Sequence, residues 1–242
     1  MARYALANHV FVCLQDEHVV FLDVRQDRYF ALEAAQVGGL AALVRGWPSA
    51  TATESSRRAG ATEAHVAALL ARRGLLTEAA RDGKDATPTR FAAPDDEIVA
   101  EDFTGTPRAH AGAIYRFLAA CLSAQLTLQF MSFERMVSRV QRHRMRALGK
   151  GENERVTFDR ERARELIATF AFLRPYVFTS KDACLFEALA LGQFLAGFGL
   201  QPRWVFGVQA RPFAAHCWLQ HESIVLNDTV EHVVRYSPIM VV

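Results

Sequence analysis

The chain has 242 residues, room for one large domain or two small ones. Its 51% hydrophobic and 22% charged residues are ordinary globular values, which excludes wholesale disorder and collagen-like or mucin-like architecture. Lys plus Arg number 28 against 26 Asp plus Glu, and a net charge of +2 gives no electrostatic reason to expect nucleic acid or an anionic membrane surface. Residues 9–32 read as three short strands, HVFVCL, VVFLDV and YFAL, separated by the polar breaks QDEH and RQDR. Helical spacing follows from Glu33 through Ala35, Val37, Leu40, Ala41, Leu43 and Val44, ending near Gly46-Trp47-Pro48. After a Ser/Thr/Ala stretch, Thr62 is the expected N-cap of a helix that sets Val66, Leu69 and Leu70 on one face and stops at Gly74. Three strands followed by two or three helices within residues 1–80 can form a small winged-helix domain.

Residues 81–108 change character, with prolines, glycines and many charges but few large apolar residues, and are expected to be a linker. A second region, 109–242, then opens with helical periodicity at Ile114, Phe117, Leu118, Cys121 and Leu122. The run Phe117–Phe133 has no charged residue and approaches the length of a membrane span. Ser123, Gln125, Thr127, Gln129 and Ser132 within it favour a buried helix instead. Phe133–Leu148 predicts an Arg-rich helix, Arg160–Leu173 another, and a fourth should begin near Asp182 and end at Gly197 or Gly199. RWVFGVQA, HCWLQHE and SIVLND read as consecutive strands, and PIMVV as a strand-like tail.

The four cysteines, Cys13, Cys121, Cys184 and Cys217, show no CxxC spacing, and the first residues lack the pattern of a signal peptide. Reduced thiols and a cytoplasmic setting are the expectation. In SKDACLFEALALGQFLAGFG, Ser180 or Asp182 can cap a helix whose first turn holds Cys184. Unpaired N–H groups and the positive end of the helix dipole favour a thiolate there, and can also stabilise an oxyanion. Asp182 would oppose this unless turned away or paired with Lys181. His216 opens the apolar strand AHCWLQ, and Asp228 follows a polar turn at His221-Glu222-Ser223. Two antiparallel strands joined by that turn bring His216 and Asp228 side by side. Nucleophile, general base and orienting carboxylate then stand in the order Cys, His, Asp. The bland alternatives are a buried apolar cysteine, a core histidine and an inactive domain of the same fold.

A zinc set of Cys184, His216, Cys217 and His221 is disfavoured, because strand neighbours His216 and Cys217 should point to opposite faces. No metal or cofactor is expected. Asn227-Asp228-Thr229 matches a glycosylation sequon, with no secretion signal to give it meaning. HExxH, GxGxxG, P-loop and EF-hand patterns are absent, and the basic helix ERMVSRVQRHRMR reads as a solvated face.

The run from Cys184-Leu185 through Gly207-Val208 and Pro212-Phe213-x-Ala215-His216-x-Trp218 to Asn227-Asp228 resembles the transglutaminase-like cysteine peptidase of lasso-peptide biosynthesis, the B protein. Residues 1–80, through their element order and the hairpin DVRQDRYFAL, resemble the RiPP recognition element. Together they resemble the fused, two-domain B protein. That implies an α+β chain with an N-terminal winged-helix-like recognition domain and a C-terminal papain/transglutaminase-like domain. The implied activity is removal of the leader from a ribosomally made precursor. Cys184 attacks the scissile carbonyl, His216 shuttles the proton, and Asp228 orients His216. An asparagine-synthetase-like cyclase is the implied partner, closing the ring after the cut. The leader itself is implied to add as a strand beside Tyr29-Phe30-Ala31-Leu32, facing Val66, Leu69, Leu70, Arg72 and Arg73. Two other readings stay open: the same triad passing its acyl group to an amine, and a peptide-binding scaffold with no chemistry.

Overall fold

The computed structural model describes residues 3–33, 37–47, 61–149, 158–178 and 184–242. The chain divides into two compact units. The first is Met1–Arg90 with Gly207–Ala215 and Ser237–Met240, and the second is Phe91–Phe206 with His216–Tyr236 and Val241–Val242.

In the first unit, β1 (Ala5–Ala7) is followed by β2 (Val10–Gln15), β3 (His18–Asp23) and β4 (Arg28–Glu33). The last three form an antiparallel sheet in the order β2-β3-β4, the three strands that the β-branched and aromatic runs predict. Asp16 and Asp27 occupy the two tight turns with φ of 51°, a conformation that Asp tolerates better than branched residues. The buried Asp23 accepts hydrogen bonds from the amides of Arg25 (2.9 Å) and Gln26 (3.1 Å), which fixes the second turn. Central strand β3 is buried almost throughout, whereas β4, which pairs with β3 alone among the described strands, is half-exposed. Helix α1 (Ala61–Arg72) adds Ala67 and Leu70 to a core of Leu6, Val12, Val19, Phe21, Leu40 and Leu75. Strand β1 pairs with β5 (Leu76–Thr77) and β6 (Gly83–Lys84).

This unit is richer in strand than the sequence suggests. The apolar spacing around Leu40 runs as a 3-10 turn, Gly38–Ala42, because adjacent Gly38 and Gly39 disfavour an α-helix. Among the described residues of Met1–Arg90, α1 is the α-helix with a full range; the helix expected from Glu33 falls partly on residues 34–36, outside the described residues, and Val37 is α-helical. Thr62 lies inside it, and residues 48–60 fall outside the described residues.

The second unit begins with order in the proline-containing stretch. β7 (Asp96–Glu97) pairs in parallel with β10 (Ile224–Val225), and the Ile98 amide donates to the Val225 carbonyl at 2.8 Å. Four helices follow: α2 (Ala111–Phe130), α3 (Phe133–Gly149), α4 (Arg160–Leu173) and α5 (Cys184–Ala196). His110 caps α2 by accepting from the Ala113 amide, and Asp159 caps α4 by accepting from Arg162, both at 3.0 Å. The sheet has the order β11-β8-β9-β10-β7, with β8 at Arg203–Gln209, β9 at Ala214–His221, β10 at Ile224–Val225 and β11 at Ser237–Val241. A single turn, α6 (Val230–Val233), precedes β11.

Helix α2 departs from the expectation of a buried helix. It buries Ala113, Phe117, Ala120, Cys121, Ala124 and Thr127 on one face, while Tyr115, Leu118, Leu122, Leu126 and Phe130 lie exposed on the other. By length and composition alone it could cross a membrane. Its buried face meets α4 and α5 in an aromatic cluster: Phe117 lies 5.2 Å from Phe170, and Phe170 lies 5.7 Å from Phe194, centroid to centroid. Phe194 is fully buried and anchors the helix that begins at Cys184. Replacing it by alanine should cost about 3–5 kcal/mol, the usual range for a buried phenylalanine. Urea unfolding checks this, and a loss below about 1 kcal/mol would mean the cluster does not hold α5.

Candidate active site

Three elements of the second unit converge. Cys184 is the first residue of α5, where the helix dipole favours an anion. Ser180, Lys181 and Asp182, the residues expected to cap or oppose it, lie outside the described residues. His216 sits near the start of β9, whose following residues Cys217–Gln220 are all buried, so the strand is held rigidly behind it. Asp228 lies just beyond β10, which is shorter than its apolar run predicts. The reason is Asn227: its side-chain oxygen accepts the Leu219 amide at 2.7 Å, in place of a backbone ladder bond, and the chain leaves the sheet there.

The His216 Nε2 atom meets Asp228 Oδ2 at 2.5 Å. Nε2 is thus committed to Asp228, and the imidazole and the Cys184 thiol shift one another's titration. The triad positions read from the sequence therefore come together in space. Behind them, Gln220 ties the strand down, accepting from the Trp218 indole at 2.9 Å and donating to the carbonyls of Ala92 and Glu222. The His216 ring lies between Trp218, at 6.0 Å, and Tyr236, at 5.3 Å.

The electrostatics favour a charge-separated pair. Hydrogen bonds from the Cys217 thiol and from His216 outweigh burial and pull Cys184 down to about 4. Burial pulls His216 down, but its bonds and charge interactions with Asp228 and Cys184 push it up to about 9. Asp228 is destabilised as an anion by burial, yet hydrogen bonds from His216, the Thr229 amide and His232 hold it below the usual carboxylate range. Between those limits the site is thiolate, imidazolium and carboxylate.

Three partners escaped the sequence reading. Cys217, expected on the face opposite His216, places both its thiol and its amide against Cys184. The Cys184 thiolate and burial together raise the Cys217 thiol well above its ordinary value, making it a donor. His232, four residues after Asp228 on α6, brings Nδ1 within 2.9 Å and 3.0 Å of the two Asp228 oxygens. Its spacing was the available signal. Glu187, one turn after Cys184, is paired with Arg174 at 2.9 Å, and burial raises its carboxyl. His216, Asp228 and His232 offer ligand atoms within 4.8 Å of one another and can hold a metal ion. Those atoms already bond to one another, so a metal would have to displace the His216–Asp228 contact.

The residues expected to face a peptide lie in the first unit. Tyr29 and Phe30 are half-buried on β4: Tyr29 packs on Phe213 at 5.6 Å, and the Arg73 guanidinium stands 6.0 Å from the Phe30 ring. Leu70 belongs to the core and Val66 packs against it, whereas Leu69, Arg72 and Arg73 are exposed.

Comparison with curated proteins and with solved structures finds no match. The family comparison does: residues 124–241, which include Cys184, His216 and Asp228, match the model of the transglutaminase-like superfamily.

Proposed function

We propose that this chain is a cysteine peptidase that binds the leader of a ribosomally made lasso precursor and cuts at the leader–core junction. The observation that carries the chemistry is the convergence of Cys184, His216 and Asp228 at the start of α5 and the edge of β9. The Cys184 thiolate attacks the scissile carbonyl carbon, and the developing oxyanion faces the N-terminal amides of α5. His216 gives its Nδ1 proton to the leaving amine as the C–N bond breaks, which leaves a thioester on Cys184. Water then attacks the thioester, passing a proton to His216, and the leader departs as a carboxylic acid. The freed core amine is what an asparagine-synthetase-like cyclase, the proposed partner, would join to a side-chain carboxyl.

Leader capture is assigned to the β4 edge, which pairs with β3 alone among the described strands. Tyr29, Phe30, Leu69, Arg72 and Arg73 supply the side chains beside it, with Val66 and Leu70 supporting them from the core. A covalent tether between capture and cutting regions raises the effective concentration of the scissile bond.

Incubating the chain with a lasso precursor should give two fragments whose masses sum to the precursor plus one water. Cys184→Ala should give none while still binding the leader. Cleavage by that variant would defeat the assignment, and a crosslinked or acylated product would move it to acyl transfer.

A further inference from the structure

A cavity of about 430 Å³ lies within the second unit, among α2, α3, α5 and the approach to β8. None of Cys184, His216 or Asp228 lines it, so it is a second site rather than part of the first. Its size is that of a small-molecule pocket. Ala120, Met136, Val140, Leu189 and Leu219 form apolar walls. The cations Arg116, Arg139 and Arg144 line it, and no Asp or Glu does.

Three side chains that line it carry a buried polar atom without a hydrogen-bond partner: Thr127 Oγ1, Arg144 Nε and Trp204 Nε1. Thr127 is 3% exposed. Leaving such groups unpaired typically costs about 1–3 kcal/mol each, so their occurrence in one cavity calls for a ligand or ordered solvent. Arg144 is held in place by Nη1, which donates to the carbonyls of Gln201 (2.8 Å) and Pro202 (3.0 Å). That leaves the edge formed by Nε and Nη2, two parallel donors matched to the two oxygens of a carboxylate. Burial and the neighbouring Arg203 lower the Arg144 guanidinium to about 10, which leaves it charged at neutral pH. Among the described residues it has no carboxylate partner.

We propose that this cavity binds an amphipathic carboxylate, an acyl acid of about ten carbons, with its head on Arg144 and Thr127 and its chain against the apolar walls. Arg144, half-buried and fixed through Nη1, is the cation placed to take a carboxylate head, and the walls suit a hydrocarbon. The reading is independent of the peptidase assignment.

Trp204 lines the cavity and serves as the reporter. The probe is 11-bromoundecanoate, whose bromine quenches a nearby indole, titrated into the full chain below its micellar concentration. 11-Bromoundecanol is the uncharged control. Saturable quenching is expected, at least tenfold tighter for the acid than for the alcohol. Trp204→Phe should remove the quenching, Arg144→Met should abolish the preference for the acid, and Thr127→Val should weaken acid binding a few-fold. Should Arg144→Met fail to fold, Val140→Phe fills the cavity and must eliminate saturable quenching. The proposal is overturned by an absence of saturable quenching, by equal affinity for acid and alcohol, or by quenching that survives Val140→Phe. Adsorption on the exposed stripe of α2 would give the second of these results.

Discussion

Asp228→Ala is expected to lower kcat for the proposed leader cleavage by about 10⁴-fold, the order found when a triad loses its orienting carboxylate. Asp228 Oδ2 bonds the imidazole at Nε2, and its charge supports the imidazolium that, in the proposed mechanism, protonates the leaving amine. Without it the ring can turn, and its proton is held less strongly. The alkaline limb of the pH–rate profile should therefore move down from about 9 along with the loss of rate. KM should change little, since Asp228 is not expected to touch the leader. Asp228→Asn retains an acceptor for Nε2–H and should recover part of kcat but not the position of the alkaline limb. A variant that loses rate with an unmoved limb would show that the carboxylate only shapes the loop after β10.

Cys184 should react with iodoacetamide at pH 5 nearly as fast as at pH 7, whereas an ordinary thiol would be almost inert there. The sign follows from the reactive form: alkylation needs thiolate, and a thiol held at about 4 is already ionised above that value. Cleavage has a second requirement, the imidazolium, which is lost above about 9. Its profile should be bell-shaped between these limits, while alkylation rises at low pH and then stays flat. His216→Ala removes one hydrogen bond and the positive charge, so the alkylation midpoint should rise and the rate at pH 5 should fall at least tenfold. Peptide mapping must place the label on Cys184; Cys13, Cys121 and Cys217 are buried and their thiols are raised. An alkylation midpoint near 9 in the unsubstituted chain would remove the ion pair from the mechanism.

Much of this site was readable from the sequence, because each part sits at the end of a strongly patterned element. Cys184 opens an apolar helix, His216 stands near the start of an apolar strand, and Asp228 follows a polar turn, so local rules marked them as candidates and the family resemblance suggested their roles. What escaped was set by tertiary contact. The approach of Cys217 to Cys184 depends on where the α5 terminus meets β9, which strand alternation does not encode. His232 reaches Asp228 through one short turn capped by Thr229, too brief for a periodic pattern. The exposed apolar face of α2 escaped for a related reason: an uncharged run identifies a helix but not which of its sides will be covered. In the first unit, the glycine pair at Gly38-Gly39 outweighed the helical spacing around it.

The side of β4 away from β3, where no other described strand pairs, constrains whatever lies along it. A strand edge offers its outward amides and carbonyls on alternate residues only, so an added chain is held firmly at every second position and loosely between. Proline substitutions walked along such a chain would be damaging and harmless by turns. The backbone at that border is indifferent to sequence, which leaves discrimination between one peptide and another to the side chains flanking it.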